Sequence, residues 1–116
     1  MQKRKVVIDT ALKRLATVRV EEGDFSPLPT HYSLGQNYPN PFNPTTTITF
    51  SLPDRSHVRL TVYNAIGQEV VKLVDEEVSA GTHKTTWDAS GLPSGIYFYR
   101  LETKQFIQTR KTMFMK

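Results

Sequence analysis

The 116-residue sequence contains no cysteine. That excludes a disulfide framework and every Cys-ligated zinc or iron–sulfur site, while leaving the redox compartment open. It also lacks any apolar run approaching the roughly 20 residues that a membrane-spanning helix needs. The start Met1-Gln2-Lys3-Arg4-Lys5 has the charge of a signal n-region. However, Val6-Val7-Ile8 gives way at once to Asp9, with Lys13 and Arg14 close behind, so no apolar h-region forms. If the protein is exported, its leader is expected upstream on a longer parent chain.

Clustered chemistry is equally scarce. His31, His57 and His83 each stand alone, without a second His or a carboxylate at i+2, i+3 or i+4 that would make a metal pair. Ser90-Gly91 and Ser94-Gly95 lack the Gly-x-Ser-x-Gly frame of a nucleophile elbow. Asp75-Glu76-Glu77 is the densest acidic run, but without Asx or Gly spacing it reads as a solvated loop and not as a calcium site. The expectation is therefore no catalysis, no cofactor and no metal.

Charge is present but unevenly placed. Fifteen Lys and Arg against eleven Asp and Glu give a net charge of +4. Residues 1–20 hold six bases against Asp9, whereas Glu21, Glu22 and Asp24 follow directly. Residues 25–99 are mildly acidic, and Arg100, Lys104, Arg110, Lys111 and Lys116 then face only Glu102. A nucleic-acid surface would need bases and stacking aromatics on one face. Neighbouring positions of a strand point to opposite faces, so at most half of Tyr97, Phe98, Tyr99, Arg100, Lys104, Phe106, Arg110 and Lys111 can share one. Nucleic acid is accordingly not an expected partner. Membrane insertion is not expected either, since the basic N-terminal segment is short, carries Asp9 and lacks aromatics.

Four regions separate along the chain. In residues 1–20, Ile8, Ala11, Leu12, Leu15 and Ala16 suggest a short amphipathic helix, although Val18 and Val20 alternate like a strand. This segment, 1–24 with its acids, is read as an upstream piece or the end of a preceding domain. Five of the seven prolines, at 27, 29, 39, 41 and 44, make residues 25–44 a linker and an extended Pro-rich lead-in, neither helix nor central strand.

From Thr45 the pattern turns to period two. Ile48, Phe50 and Leu52 form one strand; Val58, Leu60 and Val62 form a second after the Pro53-Asp54 turn. Asn64–Gly67 is a turn in which Gly67 takes positive φ, and a third strand runs from about Gln68 to Val74. Residues 75–81 read as a polar loop. A fourth strand covers Thr82–Asp88 with Trp87 as anchor, a fifth Ile96–Thr103, and a sixth 106–115 after a turn at Lys104-Gln105. Six to seven short strands with connections too short for crossovers imply an all-β, antiparallel sandwich over residues 45–116. Its expected core is Ile48, Phe50, Leu52, Val58, Leu60, Val62, Leu73, Trp87, Leu101 and Met113. The fifth strand leaves two inward faces open, one with Ile96 and Phe98, the other with Tyr97, Tyr99 and Leu101.

One local sequence is distinctive: Gln36-Asn37-Tyr38-Pro39-Asn40-Pro41-Phe42-Asn43-Pro44-Thr45-Thr46. Pro39, Pro41 and Pro44 are expected to hold an extended line, with Asn40 and Asn43 forming Asx turns and Tyr38 and Phe42 as apolar anchors. Such a segment would close one end of the sandwich and cover an edge strand.

Taken with Tyr63–Gln68, Ala80–His83, Trp87-Asp88, Ser94–Leu101 and the basic end Thr109–Lys116, the chain over about residues 32–116 resembles a type A C-terminal sorting domain of the type IX (Por) secretion system. It is also similar, in the Asn-Pro-Phe segment and the Tyr-Asn-x-x-Gly hairpin, to the immunoglobulin-like domain of the flagellar hook-capping protein, a relative in fold more than in role. The resemblance implies an immunoglobulin-like form of the sandwich and a secretion address. An upstream cargo on the same chain would be recognised in the periplasm and passed across the outer membrane to the cell surface or medium. A sortase-like peptidase would then remove the domain before Tyr32 and attach the cargo to the surface. Carried over by motif, the residues the translocon reads would be Gly95, Tyr97, Lys111, Met113 and Lys116. The competing reading is an accessory sandwich that binds carbohydrate or a protein subunit, with Tyr63, Tyr97 and Tyr99 as its aromatic row.

Overall fold

A computed structural model describes residues 28–116. The helix expected within residues 1–20 and the acidic residues 21–24 lie outside the described residues. Among the described residues, seven strands make up the fold: β1 (Ser33–Leu34), β2 (Thr45–Leu52), β3 (Ser56–Asn64), β4 (Glu69–Val78), β5 (Gly81–Asp88), β6 (Gly95–Glu102) and β7 (Ile107–Phe114). They form a three-stranded sheet of order β1-β2-β5 and a four-stranded sheet of order β4-β3-β6-β7, with every strand pair antiparallel. This is the expected immunoglobulin-like sandwich.

The core forms where period-two strands from both sheets present their apolar faces to each other. Ile48, Phe50 and Leu52 come from β2, Val58, Leu60 and Val62 from β3, and Trp87 from β5; all are buried. On β6 the inward face is Tyr97, Tyr99 and Leu101, which settles the open alternative, while Ile96 and Phe98 lie half-buried on the outer side. The turn between β3 and β4 is held by the Asn64 side chain, whose Oδ1 accepts from the N–H groups of Ile66 and Gln68, and Gly67 takes φ 89° there.

Three sequence expectations are corrected. The acidic run is not a loop, because β4 continues through Val78 and leaves only Ser79-Ala80 as the connection. As an edge strand it tolerates outward charges, which also discourage pairing with foreign chains. Those charges meet bases across the ladder: His57 Nε2 lies 2.7 Å from Asp75 Oδ1, and Arg55 Nε 3.3 Å from Glu77 Oε1. Met113 is not core but 37% exposed, and the inward residues of β7 are Thr112 and Phe114. Pairing of Tyr97 with Thr112 and of Gly95 with Phe114 fixes that register, and a slip of one residue would reverse every side chain. Leu73 is only half-buried, packed on the rim of the core from an edge strand.

A buried polar hub joins the lead-in to the core. The Tyr99 hydroxyl donates to the Gly35 carbonyl at 2.7 Å and accepts from the Asn37 N–H at 2.8 Å. The Asn37 amide in turn donates to Thr46 Oγ1 and to the Pro39 carbonyl. Tyr99→Phe leaves a carbonyl and an N–H without their partner, so it is expected to cost about 1–3 kcal/mol in a urea melt. Burial pushes the phenols of both Tyr97 and Tyr99 above the ordinary value of 10.0. In the unfolded chain they ionise near that value, so stability is full below pH 10.0 and falls as pH rises through and beyond it. Alkaline titration should therefore show loss of Trp87 fluorescence in step with phenolate absorbance.

Candidate recognition surface

The Pro-rich lead-in straps the two sheets together. Tyr38 exchanges backbone hydrogen bonds with Thr47 of β2, at 3.0 and 2.9 Å, on the three-stranded sheet. Four residues later, the Phe42 N–H donates to the Met113 carbonyl at 3.1 Å and the Phe42 carbonyl accepts from Met115 at 3.0 Å, on the four-stranded sheet. The Phe42 ring is driven inward between Trp87 and Phe114, with ring centroids 5.0 and 5.3 Å away. The lead-in thus covers the edge of β7.

Its details depart from an extended line with two anchors. The Tyr38-Pro39, Asn40-Pro41 and Asn43-Pro44 bonds are all cis. Only Phe42 is an anchor, since Tyr38 is 81% exposed. Asn40 does not fold onto its own backbone; its Oδ1 accepts from Thr112 Oγ1 and from the Met113 N–H. The Pro39 carbonyl accepts from Thr46 Oγ1, and the Pro44 carbonyl accepts from the Ala89 N–H. Asn43 is exposed beside them.

The motif residues of the last two strands divide between two faces. Gly95 opens β6 with φ 150°, a conformation that disfavours a side chain, and lies opposite Phe114. Met113 lies opposite Ile96, and Lys111 opposite Phe98, both on the outer face. Lys116 lies just past β7, where its N–H donates to Ser94 Oγ. Gly95, Met113 and Lys116 therefore gather at one end of the sheet, with Lys111 one step along. Tyr97 does not join them. It is 4% exposed, edge-on to Trp87, and its hydroxyl donates to the Pro93 carbonyl at 2.6 Å, which pins the preceding loop.

Sequence reasoning passed over Gln36 and Asn37 as parts of this site. The Gln36 amide donates to the Lys111 carbonyl at 3.0 Å, a contact across 75 residues that no local pattern announces.

The alternative reading of a carbohydrate-binding aromatic row is overturned, because Tyr97 and Tyr99 are buried and only Tyr63 of that row remains accessible. Tyr63 is itself covered by the Arg100 guanidinium, 4.8 Å above its ring. Among the described residues, no group of three or more His, Asp or Glu is placed to hold a metal ion, and no helix is long and apolar enough to cross a membrane.

The fold and this strapped terminal strand define an immunoglobulin-like β-sandwich whose net positive charge lies on its C-terminal strand and tail, where Arg110, Lys111 and Lys116 face no acid. The model of the secretion system C-terminal sorting domain matches residues 36–115, and the chain belongs to that family, whose members are C-terminal signals of the type IX secretion system. The match begins at Gln36, whose side-chain amide donates to the Lys111 carbonyl of β7. No curated protein and no solved structure gives a significant match to the chain.

Proposed function

We propose that this sorting domain works as a passive address, without catalysis of its own, and that the terminal strand with its charges is the part the translocon reads. The cargo is carried upstream on the same chain. Residues 1–24 belong to that cargo or its last domain, residues 25–44 are linker and a lead-in that supplies β1 and Phe42, and residues 45–116 are the body of the sorting sandwich. After recognition in the periplasm and passage across the outer membrane, a sortase-like peptidase removes the domain in the segment before Tyr32 and attaches the cargo to the cell surface. The family match over the folded body carries this reading.

Of the residues assigned to recognition, Lys111, Met113 and Lys116 are available to a partner, because all three are exposed. Gly95 and Tyr97 act through shape: one starts β6 and the other fixes the loop before it. Attraction between exposed charges acts over about 10 Å at moderate salt, so an acidic translocon surface can orient the domain before contact. Reversing both charges, with Lys111→Glu and Lys116→Glu in one chain fused behind a periplasmic reporter, should abolish release of the reporter while the domain stays folded. Undiminished release would show that these charges are not read.

A further inference from the structure

An edge strand usually offers its backbone to a partner sheet. At the C-terminal end of β7, the outward backbone groups from the Lys111 carbonyl to the Met115 N–H are already taken. The lead-in takes the Lys111 carbonyl through Gln36, the Met113 N–H through Asn40, and both the Met113 carbonyl and the Met115 N–H through Phe42. What remains accessible at this end of the four-stranded sheet is a face of side chains.

That face contains a shallow depression of about 270 Å³ lined by Asn40, Pro41, Ile96, Lys111, Thr112 and Met113. It is composite, built from the lead-in, β6 and β7, so it exists only when the strap is closed. Its walls are apolar at Pro41, Ile96 and Met113, and the one charge in its lining is the Lys111 ammonium. The outer face of the opposite sheet has a different character: on it Thr47, Thr49 and Ser51 of β2 lie opposite Thr86, Lys84 and Thr82 of β5.

Resting on the sorting function above, we propose that the type IX translocon is engaged through this depression and not through the backbone edge of β7. The occupant is a protein segment that presents an aliphatic or aromatic side chain beside a carboxylate. The apolar side chain fills the space between Pro41, Ile96 and Met113, and the carboxylate meets Lys111, where the depression offers no competing acid. Such an arrangement has the form of a small interface anchor with a charged rim.

The test uses the full chain fused behind a periplasmic reporter in a bacterium with an intact type IX translocon. Met113→Asp places a carboxylate in the depression without touching the core. It should lower the released reporter by about tenfold or more, the loss expected when a contact's apolar anchor site becomes charged. Met113→Leu should retain release, and so should Thr86→Asp on the opposite sheet. Melting curves of the purified fusions should be unchanged across the three. Release of Met113→Asp at the unaltered level, or an equal loss in Thr86→Asp, overturns the proposal while leaving the sorting function standing. Should the unaltered fusion itself fail to be released, the sorting function and this proposal fall together.

Discussion

Phe42→Ala is expected to remove about 3–5 kcal/mol from the stability of the domain, the cost of deleting a well-packed core aromatic. The ring contributes at three levels. It fills the space between Trp87 and Phe114, it anchors a segment whose neighbour Tyr38 is exposed, and it holds its own backbone against Met113 and Met115. A domain of this size has only about 5–15 kcal/mol in total, so the variant is expected to melt well below the unaltered chain. Backbone amide exchange at Met115 should accelerate more than exchange in β3, because the strap releases the β7 edge before the central strands open. Uniform acceleration would mean that the strap and the sandwich unfold as one unit.

Deleting Lys111–Lys116 is expected to do more damage still. Phe114 alone is worth about 3–5 kcal/mol as a buried aromatic. Its removal would coincide with loss of buried Thr112, of the Gly95–Phe98 end of the β6–β7 ladder, and of every β7 contact of Phe42. The summed loss reaches the whole stability margin, so circular dichroism of the truncated chain should show an unfolded or partly folded species at room temperature. A truncated chain that keeps the unaltered melting curve would contradict this packing. The consequence for function is practical. Truncation cannot separate a lost signal from a lost fold, whereas substitutions at exposed Lys111, Met113 and Lys116 can.

The parts of this fold that show in the sequence are those where one local rule decides. Strict alternation in Ile48–Leu52 and Val58–Val62 reveals strands and their apolar inner face, and Asn64 to Gly67 reveals a turn. Other features depend on rules that compete. Asp75-Glu76-Glu77 looks like a loop because its charge suits one, yet the cross-strand partners His57 and Arg59 make it an edge strand. In β7 the apolar Ile107 and Met113 suggest the wrong face, since Gln108, Arg110 and Thr112 turn inward with Phe114 in register with β6. Inward Arg110 is accommodated because its Nε donates to the Leu34 carbonyl at 2.6 Å. β1 is two residues long, too short for any period to appear.

The candidate site divides in the same way. Motif resemblance located Lys111, Met113 and Lys116, and the structure places all three on accessible surface at one end of the sandwich. It could not tell that Tyr97 points into the core, because Ile96 to Tyr99 is apolar on both faces. Nor could it find Gln36 and Asn37, whose importance lies in hydrogen bonds to residues more than sixty positions away. Long-range polar contacts leave no periodic trace in one sequence.

The most direct measurement is the location of a periplasmic reporter carrying the full chain at its C-terminus in two otherwise identical strains, one with an intact type IX translocon and one without it. The expected result is reporter in the medium or on the cell surface in the first strain and retention inside the outer membrane in the second. Equal release from both strains, or retention in both, would contradict the assignment of this domain as a type IX sorting signal.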